Sequence, residues 1–208
     1  MKAFFGHIRN ILVHKWWVFY YACKFGIPWR GFMHDWSKFH PTEFWESVKY
    51  YRGDESPIPV CKAANGMSKA WQHHKGHNPH HYEYWTDNYD KGNVTCHRIP
   101  YKYVMEMLAD WFAAGRTYRG KSFTVLQEVE WWREKKKNPN LAINPALIVF
   151  IDEFMNDVEY FNSIDWVKEE HNQQVLKHRL VAQYEVNKQL TNNDKDNSGI
   201  IKVYRIHI

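Results

Sequence analysis

Helical periodicity runs through most of the chain and is clearest between Asn144 and Phe161. Apolar residues there occupy positions 147, 148, 150, 151, 154, 155 and 158, and steps of three and four place them on one face of an α-helix. The pair Asn144-Pro145 is typical of a helix start. The stretch from Pro100 to Gly115 has the same apolar pattern. The sequence therefore predicts an all-α fold with both helices in its core.

Further helical segments complete a predicted bundle of about seven helices over residues 1–162. They cover residues 3–24, 31–39, 41–51, 68–76, 80–86 and 122–137. Residues 52–67 are rich in Gly, Pro, Asp and Ser, so we expect a loop there.

Residues 163–208 are predicted to form a polar C-terminal extension of the bundle. A long, weakly periodic helix from Ser163 to Leu190 leads into a polar linker over Asn187–Gly199 and a terminal strand, IIKVYRIHI. A lone strand needs an edge to pair with, so a homo-oligomer formed through this extension is one interpretation. A frayed terminus is the other.

Composition excludes several classes of protein. Hydrophobic residues make up 44% of the chain and charged residues 25%, a balance typical of a globular domain rather than a disordered one. The net charge of +5 is small and scattered, which suits an anionic small molecule and argues against nucleic acid. Three cysteines without CxxC spacing predict neither a disulfide framework nor a thiolate zinc site, and they favour a cytoplasmic location. No apolar run reaches the roughly 18 residues of a membrane span.

Histidines are concentrated in one short segment. Five of the 13 histidines lie in the nine-residue sequence HHKGHNPHH, from His73 to His81. Neutral imidazole is the commonest protein ligand for borderline divalent metals, so this segment indicates a metal site. A solvated, polar helix junction is the alternative, but the flanking Trp71, Tyr82 and Trp85 favour burial.

Two further segments place carboxylates beside histidines or apolar residues. His34 and Asp35 are adjacent, so on a helix their side chains point about 100° apart and can face two ions. Asp110 lies at the margin of an apolar helix face, where a carboxylate must be paired, bound to metal or at the solvent boundary. His14 lies on the apolar face of the first predicted helix, where a histidine of the core is equally compatible.

The order of these residues resembles that of the HD-domain superfamily of metal-dependent phosphohydrolases, over about residues 7–118. The segments GIPWRGFMHDWSKFHPTEF and WQHHKGHNPHHYEYW are more closely similar to an uncharacterised family of bacteria and their phages. The superfamily resemblance implies an HD-type helical bundle that carries its metal ligands in the order H…HD…H…H…D.

The resemblance also implies a centre of two divalent ions, Mn or Fe, with Zn, Mg or Ni as alternatives. Its six ligands would be His14, His34, Asp35, His74, His81 and Asp110. The doubled histidines leave open whether His73 replaces His74 and whether His80 replaces His81. We expect His77 to support the ligands or to face solvent.

Three more residues are candidates for catalytic roles. Lys38 follows His34 by one helical turn and would reach a phosphate oxygen, although a surface lysine fits the same position. Glu43 would serve as a general base or support a ligand, or would only complement the dipole of its helix. Arg116 would clamp an anion through two hydrogen bonds.

The function implied by the resemblance is hydrolysis of a nucleotide or another small phosphate ester. Abundant Trp and Tyr side chains offer faces on which a base can stack. One alternative is a diiron oxygenase, because the superfamily also contains enzymes that resemble inositol oxygenase and the same ligands suit iron. Another is a non-catalytic, metal-stabilised binding module whose terminal strand engages a partner.

Overall fold

The structure is a computed structural model that describes residues 1–88 and 94–198. Within these ranges the chain forms nine α-helices and one two-stranded antiparallel sheet, which confirms the all-α class. The α-helices are α1 (Lys2–Lys24), α2 (Pro28–Met33), α3 (Pro41–Lys49), α4 (Pro57–Asn65), α5 (Lys69–His77), α6 (Tyr101–Arg119), α7 (Val125–Lys135), α8 (Pro145–Phe161) and α9 (Glu170–Ser198). The strands are β1 (Thr86–Asn88) and β2 (Val94–Cys96), and single turns of 3-10 helix cover Trp36–Phe39, Tyr82–Trp85, Gly120–Ser122 and Asp165–Lys168.

Polar caps followed by proline begin several of these helices. Asn144 Oδ1 accepts a hydrogen bond from Ala146 N at 3.0 Å ahead of α8. Ser56 caps α4 in the same way, immediately before Pro57. Proline suits the first helical position because its missing N–H would have no partner there. The prediction of a loop over residues 52–67 is therefore wrong, since Ser56-Pro57 starts a helix inside that segment.

The hydrophobic core is centred on α6, in which every residue from Val104 to Ala113 is buried. This helix packs along α1, while α8 packs on α7 and α9. Phe25, just after α1, joins these parts of the core, with ring centroids 6.3 Å from Phe112 and 5.8 Å from Phe154. One continuous core thus holds α1 and α6, the helices that carry His14 and Asp110.

The helix α9 contributes to the same core through Leu176, Leu180 and Tyr184. The Tyr184 hydroxyl accepts a hydrogen bond from Ile99 N at 2.9 Å and donates one to Ile99 O at 3.2 Å. The helix continues to Ser198, so the prediction of a polar linker from Asn187 is wrong for these residues. A helix that is already nucleated adds polar residues at little cost. The predicted terminal strand lies outside the described residues.

The segment after α5 also differs from the prediction. Asn78 ends α5 rather than starting a helix over 80–86, because its side chain donates a hydrogen bond to His74 O at 2.8 Å. A 3-10 turn and β1 follow, and β1 pairs with β2 so that Thr86 lies opposite Cys96. Among the helices in the described ranges, none is long and apolar enough to cross a membrane.

A close contact between α1 and α2 fixes the position of His34. Gly31 faces α1, and a Cβ atom there would lie 2.4 Å from Ala22 Cβ and 3.0 Å from Phe19 Cα. Because real Cβ atoms do not approach so closely, only glycine permits this packing. The end of α2 is thereby held beside the face of α1 that carries His14.

Candidate metal centre

Seven side chains from separate parts of the chain converge beside α6. They form two donor groups, in each of which one potential ligand atom per residue lies within 4.8 Å of the others. The first donor group is His14 of α1, His34 and Asp35 after α2, and Asp110 of α6; the second donor group is Asp35, His74 of α5, His80 and His81. All six ligands predicted from the sequence are therefore brought together, and His80 joins them.

Asp35 belongs to both donor groups, and its two carboxylate oxygens face different ones. Oδ2 lies 3.1 Å from His34 Nε2. Oδ1 lies 3.5 Å from His74 Nε2 and 3.4 Å from His80 Nε2. The backbone of Asp35 has a φ of 54° in the left-handed region, which Asp tolerates better than most residues. A single carboxylate is thus aimed at two sites at once.

Asp110 completes the first donor group from the side of α6. Its Oδ1 lies 3.0 Å from His14 Nε2 and 3.4 Å from His34 Nε2. All three side chains are buried, and His34 is only 1% exposed. A cluster of this kind is excluded from bulk water by the helices that carry it.

Most of these donor atoms have no hydrogen-bond partner. Buried atoms without one in the described residues include His14 Nε2, His34 Nε2, both carboxylate oxygens of Asp35, His80 Nε2 and His81 Nε2. Their mutual contacts of 3.0 to 3.5 Å lack hydrogen-bond geometry. An unsatisfied buried polar group costs about 1–3 kcal/mol. Two bound cations would satisfy all of these atoms, so the residues present fit a two-ion centre.

Most of the cluster is held in the protonation states that bind metal. His34 is the exception, because against the effect of burial Asp35, Asp110 and Glu106 raise its pKa well above the ordinary value. Burial lowers the pKa of His14 to about 4 and lowers the pKa of His80 and of His81. Burial acts against ionisation of Asp35 and Asp110 too, but the neighbouring histidines hold the pKa of both carboxyl groups well below the ordinary value. Neutral imidazoles and charged carboxylates are the forms that bind metal.

Glu106, which the sequence analysis did not identify, supports both donor groups from α6. Its Oε1 accepts a hydrogen bond from His34 Nδ1 at 3.2 Å and lies 3.4 Å from His80 Nδ1, while Arg30 donates to Oε2. A proton held on Nδ1 leaves the Nε2 lone pair free for a metal. The signal in the sequence is the spacing, because Glu106 lies one helical turn before Asp110 on an apolar face.

Glu43 has the same relation to the second donor group. Its two carboxylate oxygens accept hydrogen bonds from His73 Nδ1 at 2.6 Å and His74 Nδ1 at 2.8 Å. His73 therefore turns away from the donor atoms, and so does His77, whose exposed ring stacks on His73 at 4.0 Å. Of the predicted roles for Glu43, this geometry matches support of a ligand.

A tight turn presents His80 and His81 together. Trp85 Nε1 donates a hydrogen bond to Pro79 O at 2.7 Å, which closes the turn from one side. Asn78 Nδ2 donates to Ser37 Oγ at 2.8 Å, which ties the turn to the residues after Asp35. Adjacent residues reach one site here because the chain is not helical at this point.

A cavity of about 200 Å³ opens beside the donor groups. Lys38 lines it, and the Lys38 ammonium lies 2.6 Å from Asp35 Oδ2. Against the effect of burial, Asp35 and Asp110 raise the pKa of Lys38, so the ammonium remains charged. Lys38 therefore lies at the edge of the candidate centre.

Arg116 lies elsewhere. Its guanidinium stacks on Trp17 at 4.6 Å and Phe123 at 5.8 Å, and it lines a separate cavity with Tyr21 and Asn162. Six helical steps separate Arg116 from Asp110, which turns the two side chains about 120° apart. Arg116 is therefore not brought to the donor groups.

Comparison with known proteins gives one match. The model of a family described as DUF5662, a family of unknown function, matches residues 3–157, a span that contains both donor groups and Glu106. No curated protein matches the chain, and no solved structure does. Since the match covers most of the chain, the protein belongs to the DUF5662 family.

Proposed function

We propose that the protein is a metal-dependent phosphohydrolase with a two-ion centre, acting on a nucleotide or another small phosphate ester. The observation that carries the proposal is the pair of donor groups that share Asp35 and whose buried donor atoms lack hydrogen-bond partners. Such a site beside a cavity suits chemistry on an anion that both ions can contact.

The first donor group would hold one ion and the second donor group the other. Mixed imidazole and carboxylate donors suit Mn or Fe, and also Zn or Ni, better than Mg, which prefers oxygen ligands. When bound, two such ions polarise a phosphoryl oxygen and lower the pKa of water.

The residues of the chain have separate roles in this proposal. The Lys38 ammonium faces the cavity beside Asp35, where it would neutralise charge on the phosphoryl group. Glu43 and Glu106 orient the histidines through their Nδ1 atoms. In the hydrolysis, water supplies the oxygen that joins phosphorus and the proton that goes to the departing alcohol, so the products are an alcohol and inorganic phosphate.

Element-resolved metal analysis and an ester panel test the proposal. We expect the purified protein to carry two ions per chain and, with Mn, to hydrolyse at least one of phenyl phosphate, nucleoside monophosphates and cyclic dinucleotides. If product forms only when oxygen is present, the proposal is wrong and the protein is a diiron oxygenase instead. Bound metal without any turnover would favour a binding module, and absence of metal would remove the centre.

Lys38→Ala probes the catalytic role of the ammonium. It should retain metal and lower kcat/KM by roughly 10²-fold, the range for removal of one electrostatic stabiliser. Arg116→Ala is the matched control, because Arg116 lines the other cavity and should leave kcat/KM unchanged. Equal losses in both variants would remove Lys38 from the mechanism.

A further inference from the structure

The cavity beside the donor groups has two chemically different ends. At one end lie the donor residues and Lys38. The opposite wall is built by His7 and Asn10 of α1, by Tyr51, and by Ser56 and Ile58 at the start of α4. This wall exists because residues 52–67 contain a helix instead of an open loop.

The lining of the cavity holds little positive charge. Among the residues that line the cavity in the described ranges, Lys38 is the sole Lys or Arg. His7 is buried, and burial together with the nearby Lys38 lowers its pKa to about 4, so its ring is neutral. Tyr51, Ser56 and Asn10 add uncharged hydrogen-bonding groups. A second anionic group placed against this wall would be desolvated without a counter-charge, which is costly.

The size of the cavity sets a second limit on the substrate. Its volume is about 200 Å³. A 150 Å³ cavity holds a benzene molecule, and sites for drug-sized ligands span roughly 300–1,000 Å³. A phosphoryl group with one ring or short chain therefore fits within this volume, whereas a base together with its ribose would extend beyond it.

We propose that the substrate is the monophosphate ester of a compact, uncharged alcohol, with the phosphoryl group at the donor groups and the alcohol against α1 and α4. This inference rests on the proposed function and narrows it. Sugar bisphosphates and nucleoside di- and triphosphates are excluded by charge, and nucleoside monophosphates are poor substrates because of their size.

A matched pair of non-hydrolysable ligands tests the charge limit by binding alone. Calorimetry on the manganese-loaded protein would compare phenylphosphonate with 1,4-phenylenediphosphonate, which adds one anionic group to the same ring. We expect the second ligand to bind about tenfold or more weakly. Equal or tighter binding of the diphosphonate would overturn the inference.

Variants of the uncharged wall should reverse this preference. Ile58→Arg and Asn10→Arg each place a cation at the far end and should bring the diphosphonate to at least the affinity of phenylphosphonate. Val60→Arg adds the same charge to α4 at a residue that does not line the cavity, so it should keep the preference of the wild type. A shift in Val60→Arg equal to that in Ile58→Arg would assign the effect to overall charge and overturn the inference.

Turnover separates this inference from the proposed function. We expect kcat/KM for phenyl phosphate to exceed that for nucleoside mono- and triphosphates by about tenfold or more. If the nucleotides are hydrolysed as well as phenyl phosphate, the substrate class is wrong and the proposed function stands. If no ester is hydrolysed although metal is bound, the proposed function falls and the inference falls with it.

Discussion

The candidate metal centre and the contact between α6 and α7 both bury carboxylates, but the pKa of these carboxylates shifts in opposite directions. At the centre, the surrounding histidines hold the pKa of Asp35 well below the ordinary value. At the other contact, burial raises the pKa of Glu128 to about 7, although Arg119 lies 3.0 Å from its Oε1 and opposes the shift. Both carboxylates are less than 5% exposed. Burial alone therefore does not mark a functional carboxylate.

The two regions differ in whether their carboxylates make hydrogen bonds. Glu128 has a hydrogen bond from Arg119, whereas neither oxygen of Asp35 makes one within the described residues, although the Lys38 ammonium lies 2.6 Å from Oδ2 as an ion pair. A folded protein tolerates a buried polar group without a hydrogen-bond partner when a bound ligand or ion supplies the missing interaction. Asp35 is therefore the carboxylate that a bound ion could complete, whereas Glu128 already has Arg119 as its partner.

Loss of the shared carboxylate should have the largest effect. Asp35→Asn keeps the shape of the side chain but removes its charge from both donor groups, so we expect loss of both ions. Asp110→Asn should chiefly affect the ion of the first donor group. Metal analysis after gel filtration measures both, with His77→Ala as a control in the same histidine segment. An Asp35→Asn protein with wild-type metal content would contradict the assignment of the centre.

Glu128 should contribute to how stability depends on pH. Its folded pKa of about 7 exceeds the ordinary value of 4.5, so Glu128 holds more of its proton in the folded state between these pH values. The contribution of Glu128 to the free energy of unfolding should therefore fall as pH rises from about 4.5 to 7, by up to roughly 3 kcal/mol. The buried His7 and His14, whose pKa values are lowered to about 4, contribute in the opposite direction.

Glu128→Gln removes this titration, so the free energy of unfolding of the variant should gain on that of the wild type as pH rises from about 4.5 to 7. Arg119, Asp110 and Tyr21 are the ionisable groups whose charges act on or respond to Glu128, and all three remain in the variant. Urea titrations across the pH range measure the effect. An unchanged slope in Glu128→Gln would show that another group causes it.

Two glycines allow the two regions to be disturbed separately. A Cβ at Gly31 would collide with Ala22, and one at Gly115 would lie 2.0 Å from Glu128 Oε1. Both alanine variants should lower the free energy of unfolding by about 1–3 kcal/mol through overpacking. Only Gly31→Ala should also weaken metal binding, because it displaces α2 and His34.

The control for both is Gly76→Ala on α5, where an added Cβ meets no atom within 4 Å. It should be neutral or slightly stabilising, since Ala is the better helix former. Thermal unfolding with and without metal provides the measurement. Equal loss of metal affinity in Gly31→Ala and Gly115→Ala would mean that the two regions are not independent.

Glu106→Gln should have the smallest effect on the centre. The amide oxygen can still accept one hydrogen bond from His34 or His80, so we expect metal affinity to fall by about tenfold, the lower end of the range for groups that orient ligands. Competition with a chelator measures it. Glu185→Gln, which loses only an exposed contact with Arg98, is the control and should match the wild type.

The sequence predicts the class of the fold and most of the centre, because both depend on local patterns. Helical spacing identifies α1, α6 and α8, and the pair His34-Asp35 and the histidine segment indicate ligands. Which histidines bind depends on the turn after Asn78, where Trp85 closes the chain over Pro79. That turn is set by tertiary contacts, so the choice between His80 and His81 could not be made from spacing.

Other parts of the site depend on contacts between residues that lie far apart in the sequence. Glu106 is one of two acidic residues in α6, and its contact with His34 cannot be read from a sequence pattern. Arg116 fits the composition of an anion site, yet the rotation of α6 directs it to Trp17. The sequence does not predict the cavity wall formed by α4. The Gly and Pro residues around this helix are typical of a loop, so the helix start at Ser56 could not be recognised from composition.

The bond between Tyr184 and Ile99 bears on how the protein is made. All seven donor residues and Glu106 precede residue 111, so a ribosome completes them long before it reaches α9. Yet Ile99, which leads into α6, is held by a tyrosine from that last helix. During synthesis the nascent chain therefore carries every donor residue before Tyr184 can hold the residue that leads into α6.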